Sequence, residues 1–224
     1  MRKVIVGAFV SMDGVMQAPG GPEEDPSRGF KFGGWVAPLA DNDPVFGEEV
    51  GALFGQPYLL LGRKTYEIFA AHWPYAEGGP DDEIARQFNR LTKYVATRSG
   101  DVDTSWDKTV VLRDAAKDVA NLKQQDGPAL VTQGSTELVH ALLAAGLVDE
   151  IKVFTFPALL GKGKRLFDET SRPSAYKLTH SRVSPTGMIS ATYIPDGAVK
   201  TGDFAQPEPS AAELKRRERM RREA

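Results

Sequence analysis

The chain has 224 residues, 41% of them hydrophobic, with a net charge of −2, a pI near 6.0 and no cysteine. That length suits one large domain or two small ones with a sizeable core, and the missing cysteines exclude disulfide frameworks and thiolate metal sites. The near-neutral balance gives no broad electrostatic case for nucleic acid as a partner. The charged start Met1-Arg2-Lys3 leads into an apolar stretch that breaks at Ser11-Met12-Asp13-Gly14. This is too short for a signal peptide or a membrane span, so a soluble cytoplasmic protein with no membrane partner is expected.

Lys3 to Val10 reads as a first buried strand, ended by turn chemistry at Ser11-Met12-Asp13-Gly14. Gln17 to Gly34 is polar and rich in Gly and Pro, a long loop of the kind that carries function, with Phe30, Phe32 and Trp35 anchoring its end. Asp43 to Phe54 predicts a helix: Asp43 caps, Pro44 takes the first position, and Val45, Phe46, Val50, Leu53 and Phe54 form one face. Tyr58-Leu59-Leu60-Leu61 runs straight into Gly62-Arg63-Lys64-Thr65. A short apolar run stopped by glycine predicts a strand buried on both faces, feeding a helix capped by Thr65 and ending near Ala71.

A turn is expected over Glu77–Pro80, then a helix over Asp81–Arg90 with Ile84, Phe88 and Leu91 at helical spacing. Lys93–Thr97 and Trp106–Leu112 read as strands, the second opposing or extending the sheet. Asp114–Gln125 is an amphipathic helix with Ala115, Val119 and Leu122 inward. Ala129–Thr132 is the next buried strand, turning through Gln133-Gly134-Ser135-Thr136 into a helix over Glu137–Ala145 that Gly146 ends. Ile151–Phe156 is a strand, Pro157–Arg165 a basic loop, and Tyr176–Val183 with Met188–Ile194 a hairpin.

Strands alternating with helices predict an α/β sheet covered on both faces, and the closing hairpin makes it mixed. Residues 1–195 read as one domain and 196–224 as a polar, charged tail. Residues 213–224 carry a net charge of +3, which leaves about −5 on the rest. A short helix from Ser210 is one reading of this end, a disordered solvated segment the other.

Three strand-to-turn junctions carry glycine, hydroxyls or cations: Gly62-Arg63-Lys64-Thr65, Thr97-Arg98-Ser99 and Gln133-Gly134-Ser135-Thr136. A helix N-terminus offers free amides and the positive dipole end to a phosphate. In an open α/β sheet the ligand crevice lies beyond the carboxyl ends of the strands. One elongated, multiply anionic ligand would therefore touch all three. Arg98 between two hydroxyls suits a monophosphate, and the third junction suits a pyrophosphate. Each junction also reads as an ordinary turn with solvated cations. No Gly-x-Gly-x-x-Gly fingerprint exists, and Gly161-Lys162-Gly163-Lys164 is not a P-loop.

The order of these pieces resembles the dihydrofolate reductase superfamily, and its branch related to the reductase domain of riboflavin biosynthesis. The resemblance rests on Ser11-Met12-Asp13-Gly14, Leu61-Gly62-Arg63-Lys64-Thr65-Tyr66-Glu67, Gln133-Gly134-Ser135, Gly146-Leu147-Val148-Asp149-Glu150, and Pro157-x-x-x-Gly161-x-Gly163-x-x-Leu166-Phe167. It implies a three-layer α/β/α fold with a mostly parallel sheet, an NADPH cofactor, no metal and a homodimer. By that resemblance Gly62, Arg63, Lys64 and Thr65 hold the cofactor's phosphates. Thr97, Arg98 and Ser99 meet the 2′-phosphate and adenine side, Gln133, Gly134, Ser135 and Thr136 the pyrophosphate, and Ala8 and Phe9 the nicotinamide.

Hydride transfer asks the protein for alignment, dryness and one proton. Candidate donors are Asp13 in the loop over the crevice and Asp43, Glu48 or Glu49 on the helix before the central strand, of which Asp13 and Glu49 are carried forward. Lys162, Lys164 and Arg165 read as solvent-facing cations or as a seat for a substrate phosphate. The expected activity is NADPH-dependent reduction of a small pyrimidine, pterin or related carbonyl or imine, of the kind that 5-amino-6-(5-phosphoribosylamino)uracil reductase performs. The alternative is a nucleotide-binding protein of the same fold without turnover.

Overall fold

The computed structural model describes residues 1–55, 58–79, 82–204 and 208–223. Strand β1 (Val4–Ser11) is its spine. Side chains alternate across a pleated strand, so Val4, Val6, Ala8 and Val10 enter one core while Ile5 and Phe9 pack against the other. An apolar, β-branched run is what a strand covered on both faces requires.

β1 runs parallel to β5 (Leu130–Gln133) over Val4–Gly7 and to β6 (Glu150–Phe156) over Ile5–Ser11. β2 (Tyr58–Gly62) lies between β5 and β3 (Lys93–Ala96), and β4 (Thr109–Leu112) extends that edge in parallel. The hairpin of β7 (Tyr176–Val183) and β8 (Ile189–Pro195) adds antiparallel strands at the other edge. The order is β4-β3-β2-β5-β1-β6-β8-β7.

Helices cover both faces. On one side α5 (Ala115–Lys123) buries Val119 and Leu122, and α6 (Thr136–Ala144) buries Leu138, Val139 and Leu142. On the other, α2 (Pro44–Phe54) buries Leu53 and Phe54, α3 (Arg63–Ala70) buries Tyr66, and α4 (Asp82–Arg90) buries Phe88. A short α1 (Ala37–Ala40) precedes α2. Each fully buried aliphatic side chain stabilises by roughly 1.5–3 kcal/mol, so the two cores hold the sheet rigid beneath its carboxyl end. The tail helix α7 (Ala211–Glu223) buries nothing; Ser210 Oγ accepts the Glu213 N–H and Glu213 pairs with Arg216 and Arg217.

Three expectations need correction. α3 begins at Arg63 with Gly62 as its N-cap, so Thr65 lies inside the first turn and does not cap it. The cap lies three residues earlier, at Gly62, whose N–H donates to Ser135 Oγ at 2.9 Å. β4 starts at Thr109, since Trp106 turns its indole aside to donate to Asn89 Oδ1 at 2.8 Å. In α4 the buried pair is Ala85 and Phe88, which leaves Ile84 39% exposed. Finally, the start of the helix expected at Asp81 and the end of the turn expected at Pro80 lie outside the described residues.

Candidate active site

β1 is followed by α2 on one face and β5 by α6 on the other, so the chain leaves two adjacent strands in opposite directions. A ligand crevice opens at such a switch point. β5 ends at Gln133 opposite Gly7, while β1 continues to Ser11 against β6 alone. Ala8–Ser11 therefore have no β5 partner on that side. Gly7 is the floor: a Cβ there would meet Leu53 Cδ2 at 2.6 Å and Gln133 Oε1 at 3.0 Å. Gln133 Oε1 is buried without a hydrogen-bond partner among the described residues.

The three junctions stand in a row at this end of the sheet, after β2, β3 and β5. Gly62 N–H donates to Ser135 Oγ, and a Cβ on Gly134 would lie 3.7 Å from Thr65 Oγ1. Arg98 reaches Glu137 of α6 at 3.5 Å, and Thr97 Oγ1 lies 3.3 Å from Ser99 Oγ. Gly134 and Ser135 both adopt left-handed backbone, φ 63° and 58°. For serine that conformation is uncommon and strained, a feature that gathers at binding sites. α2 and α5 are capped by Asp43 and Asp114, whereas α3 and α6 have no side-chain cap. Among the described N-termini of helices of eight or more residues, those left without a side-chain cap are α3 and α6, at this end of the sheet, which fits a phosphate chain as the missing partner.

The candidate acids fare differently. Asp13 accepts from Ser11 Oγ at 2.6 Å, Leu160 N–H at 3.1 Å and Gly161 N–H at 2.8 Å. The Ser11 bond above all, with these amides, holds its pKa at about 2. Glu49 is buried; burial alone would raise its pKa, but bonds from Lys152, His180 and Ser190 and the Lys152 charge bring it to about 2. The distances are 2.9 Å to Lys152, 3.1 Å to His180 and 2.9 Å to Ser190. Asp43 caps α2 through Phe46 N–H and accepts from Thr186; burial opposes its ionisation, yet hydrogen bonds led by Ser184 and Thr186 hold it at about 2. Glu48 pairs with Arg182 at the surface. In the free protein these bonds hold Asp13, Asp43 and Glu49 ionised at neutral pH, and through them the carboxylates fasten loops and helix.

The 17–34 loop walls the flank of α3, where a cavity of about 680 Å³ separates Glu23–Ser27 from Lys64, Glu67, Ile68 and, just past the helix, Ala71. Gln17 ties that wall down, donating to Asp25 O at 2.9 Å and Ser27 O at 3.0 Å while accepting from Lys164 N–H at 3.0 Å. Lys164 pairs with Asp25 and Arg165 with Asp13, so neither is held out for a substrate phosphate.

Sequence reasoning missed the floor residue Gly7, the latch residue Gln17, and Arg113, whose guanidinium donates to Ser99 O at 3.0 Å. None follows a spacing pattern; each acts through a partner distant in the chain. Among the described residues no group of His, Asp or Glu could hold a metal ion, and no helix is long and apolar enough to cross a membrane.

Comparison with known proteins agrees with this architecture. The profile of one family, the RibD C-terminal domain, matches residues 2–190. YyaP, an uncharacterized protein of Bacillus subtilis (strain 168), is 24% identical over 196 residues, covering 86% of this chain and 94% of its own length. A protein described as a riboflavin biosynthesis protein, from Shewanella sp. PV-4, superposes with a TM-score of 0.64 at 21% identity, over 87% of this chain and 99% of that one. Dihydrofolate reductase from Enterococcus faecalis, complexed with NADP(H) and RAB-propyl, gives a TM-score of 0.55 at 14% identity, over 87% and 96%. The fold is dihydrofolate reductase-like.

Proposed function

Because the chain belongs to the RibD C-terminal domain family, we propose that it is an NADPH-dependent reductase acting on a small pyrimidine, pterin or related carbonyl or imine. The observation that carries this is the row of three junctions with two uncapped helix ends at one switch point. Gly62, Arg63, Lys64 and Thr65 would hold phosphate on α3. Gly134, Ser135 and Thr136 would hold the pyrophosphate on α6, with Gln133 beside them, and Thr97, Arg98 and Ser99 the 2′-phosphate. Ala8 and Phe9, at the open edge of β1, would flank the nicotinamide. The cofactor supplies the hydride. The protein aligns the acceptor over β1.

With the nearby carboxylates ionised, the proton comes from water entering the crevice. A family turnover like that of 5-amino-6-(5-phosphoribosylamino)uracil reductase is within this reading, as are a cytoplasmic location and a homodimer. The test is titration with NADPH, NADH and ATP, then NADPH oxidation over a panel of pyrimidines, pterins and carbonyls. Tighter binding of NADPH than NADH, followed by oxidation with one panel member, supports the proposal; no dinucleotide binding refutes it.

The ionised state of Asp13 and Glu49 favours a second reading, a dinucleotide-binding protein without turnover. Binding with no oxidation across the panel selects it.

A further inference from the structure

The tail helix carries a concentration of charge that the crevice does not use. α7 is 13 residues long and buries none of them. It bears six cations, Lys215, Arg216, Arg217, Arg219, Arg221 and Arg222, against three carboxylates. The whole-chain charge of −2 hides this, because the remaining residues carry about −5. At 3.6 residues per turn the cations are spread round the full circumference, with no gap wider than about 100°. Leu214 and Met220, both exposed, lie about 120° apart and form no apolar stripe. Local bonds hold the helix: Ser210 Oγ accepts the Glu213 N–H at 3.2 Å, Glu213 pairs with Arg216 and Arg217, Glu218 with Arg222, and Glu223 with Arg219. A guanidinium has five N–H donors, so these arginines keep donors to spare. Lys215 and Arg221 pair with no described carboxylate.

A circumference this polar narrows the choice of partner. A lipid surface takes a helix with one apolar face, and a protein groove takes apolar anchors at i, i+3, i+4 and i+7; α7 has neither. Single strands of nucleic acid stack on aromatic side chains, and residues 208–223 include no Phe, Tyr or Trp. Cations on every side match a site flanked by phosphates on both sides, which is a duplex groove. The major groove of B-form DNA, about 12 Å wide, admits a helix about 10–12 Å across, whereas that of duplex RNA is too narrow. We propose that α7 is a docking helix for duplex DNA, lying in the major groove and held through phosphates without sequence preference. Its 13 residues span about 20 Å, or roughly six base pairs. Like charge holds the acidic body off the polyanion, so the tail alone makes the contact.

The experiment is fluorescence anisotropy of a labelled DNA duplex of about 20 base pairs and arbitrary sequence, titrated with the full chain at about 50 and about 200 mM NaCl. Micromolar binding is expected at the lower salt, weakened by about 40-fold or more at the higher, as the release of counterions from three or more phosphates requires. Removing residues 208–224 should weaken binding by more than about tenfold. The double variant Arg221→Gln, Arg222→Gln keeps good helix formers in place and should lower the salt slope by about two. Duplex RNA, a single strand of the same length and phosphatidylserine vesicles should each bind more weakly than the DNA duplex. No binding at about 100 µM protein in the lower salt, equal binding by the truncated chain, or tighter binding of RNA, single strand or vesicle overturns the proposal. NADPH titrated into the same protein reports on the crevice separately, so failure of either reading leaves the other standing.

Discussion

Glu49 separates a catalytic from a positioning role, and the structure gives the size of the effect. Its carboxylate and the Lys152 ammonium are 7% and 10% exposed and 2.9 Å apart. His180, Ser190 and Arg182 complete the shell, so α2 is fastened to β6, β7 and β8 through one side chain. Glu49→Gln keeps the shape but leaves Lys152 buried opposite a neutral amide. Breaking a buried pair from one side costs about 3–5 kcal/mol. His180 is half exposed and Arg182 reaches solvent, so about 3 kcal/mol is expected here. For a chain of this size that is a fall of roughly 6–12 °C in Tm at pH 7, read by circular dichroism. Lys152→Met should cost a similar amount. The double variant Glu49→Leu, Lys152→Met should recover most of it, since an apolar pair can replace a buried ion pair at little loss. A Glu49→Gln loss below about 0.5 kcal/mol, or a double variant equal to the sum of the singles, refutes the reasoning. Activity adds a second readout. If Glu49 only positions α2, folded Glu49→Gln keeps its rate within about tenfold. A fall of roughly 10²–10⁴-fold with a flattened pH profile would restore it as the acid.

Acid should destabilise the protein in a defined window. Asp13, Asp43 and Glu49 have folded pKa values near 2, below their ordinary values of 3.8, 3.8 and 4.5. Their stabilisation is present above about pH 4.5 and is lost as pH falls toward 2, so Tm against pH should drop there and Glu49→Gln should flatten the upper part. Arg98→Ala should reduce the preference for NADPH over NADH by about tenfold, and Glu137→Gln should increase NADPH affinity about twofold by removing the opposed charge. An unchanged NADPH/NADH ratio in Arg98→Ala overturns its place at the 2′-phosphate. Gly134→Val forces a β-branched residue into φ 63°, at roughly 1–2 kcal/mol, and puts side chain where phosphate must approach. The stabilisation by NADPH, about 2.7 kcal/mol at a hundred times Kd, and the Tm rise that reports it in calorimetry should then disappear. Removing residues 208–224 should leave Tm within about 2 °C, because α7 buries nothing; a larger drop would show that the tail is part of the domain.

The order of strands and helices was legible in the chain because local rules set it. Leu59, Leu60 and Leu61 form a run too short and too apolar to be anything but a covered strand, and Asp43-Pro44 and Asp114 write their own helix starts. The turns after β2 and β5 were also readable as strand-to-helix junctions, since glycine and hydroxyls there are local signals. Tertiary structure alone decided what each polar side chain faces. Glu49 became an ionised anchor because Lys152, His180 and Ser190 arrive from strands more than a hundred residues away. Asp13 became a loop fastener because the amides of Leu160 and Gly161 fold back on it, and Gln133 Oε1 meets no donor among the described residues. A pKa or an empty hydrogen bond depends on distance and burial, and neither is a property of neighbours in sequence.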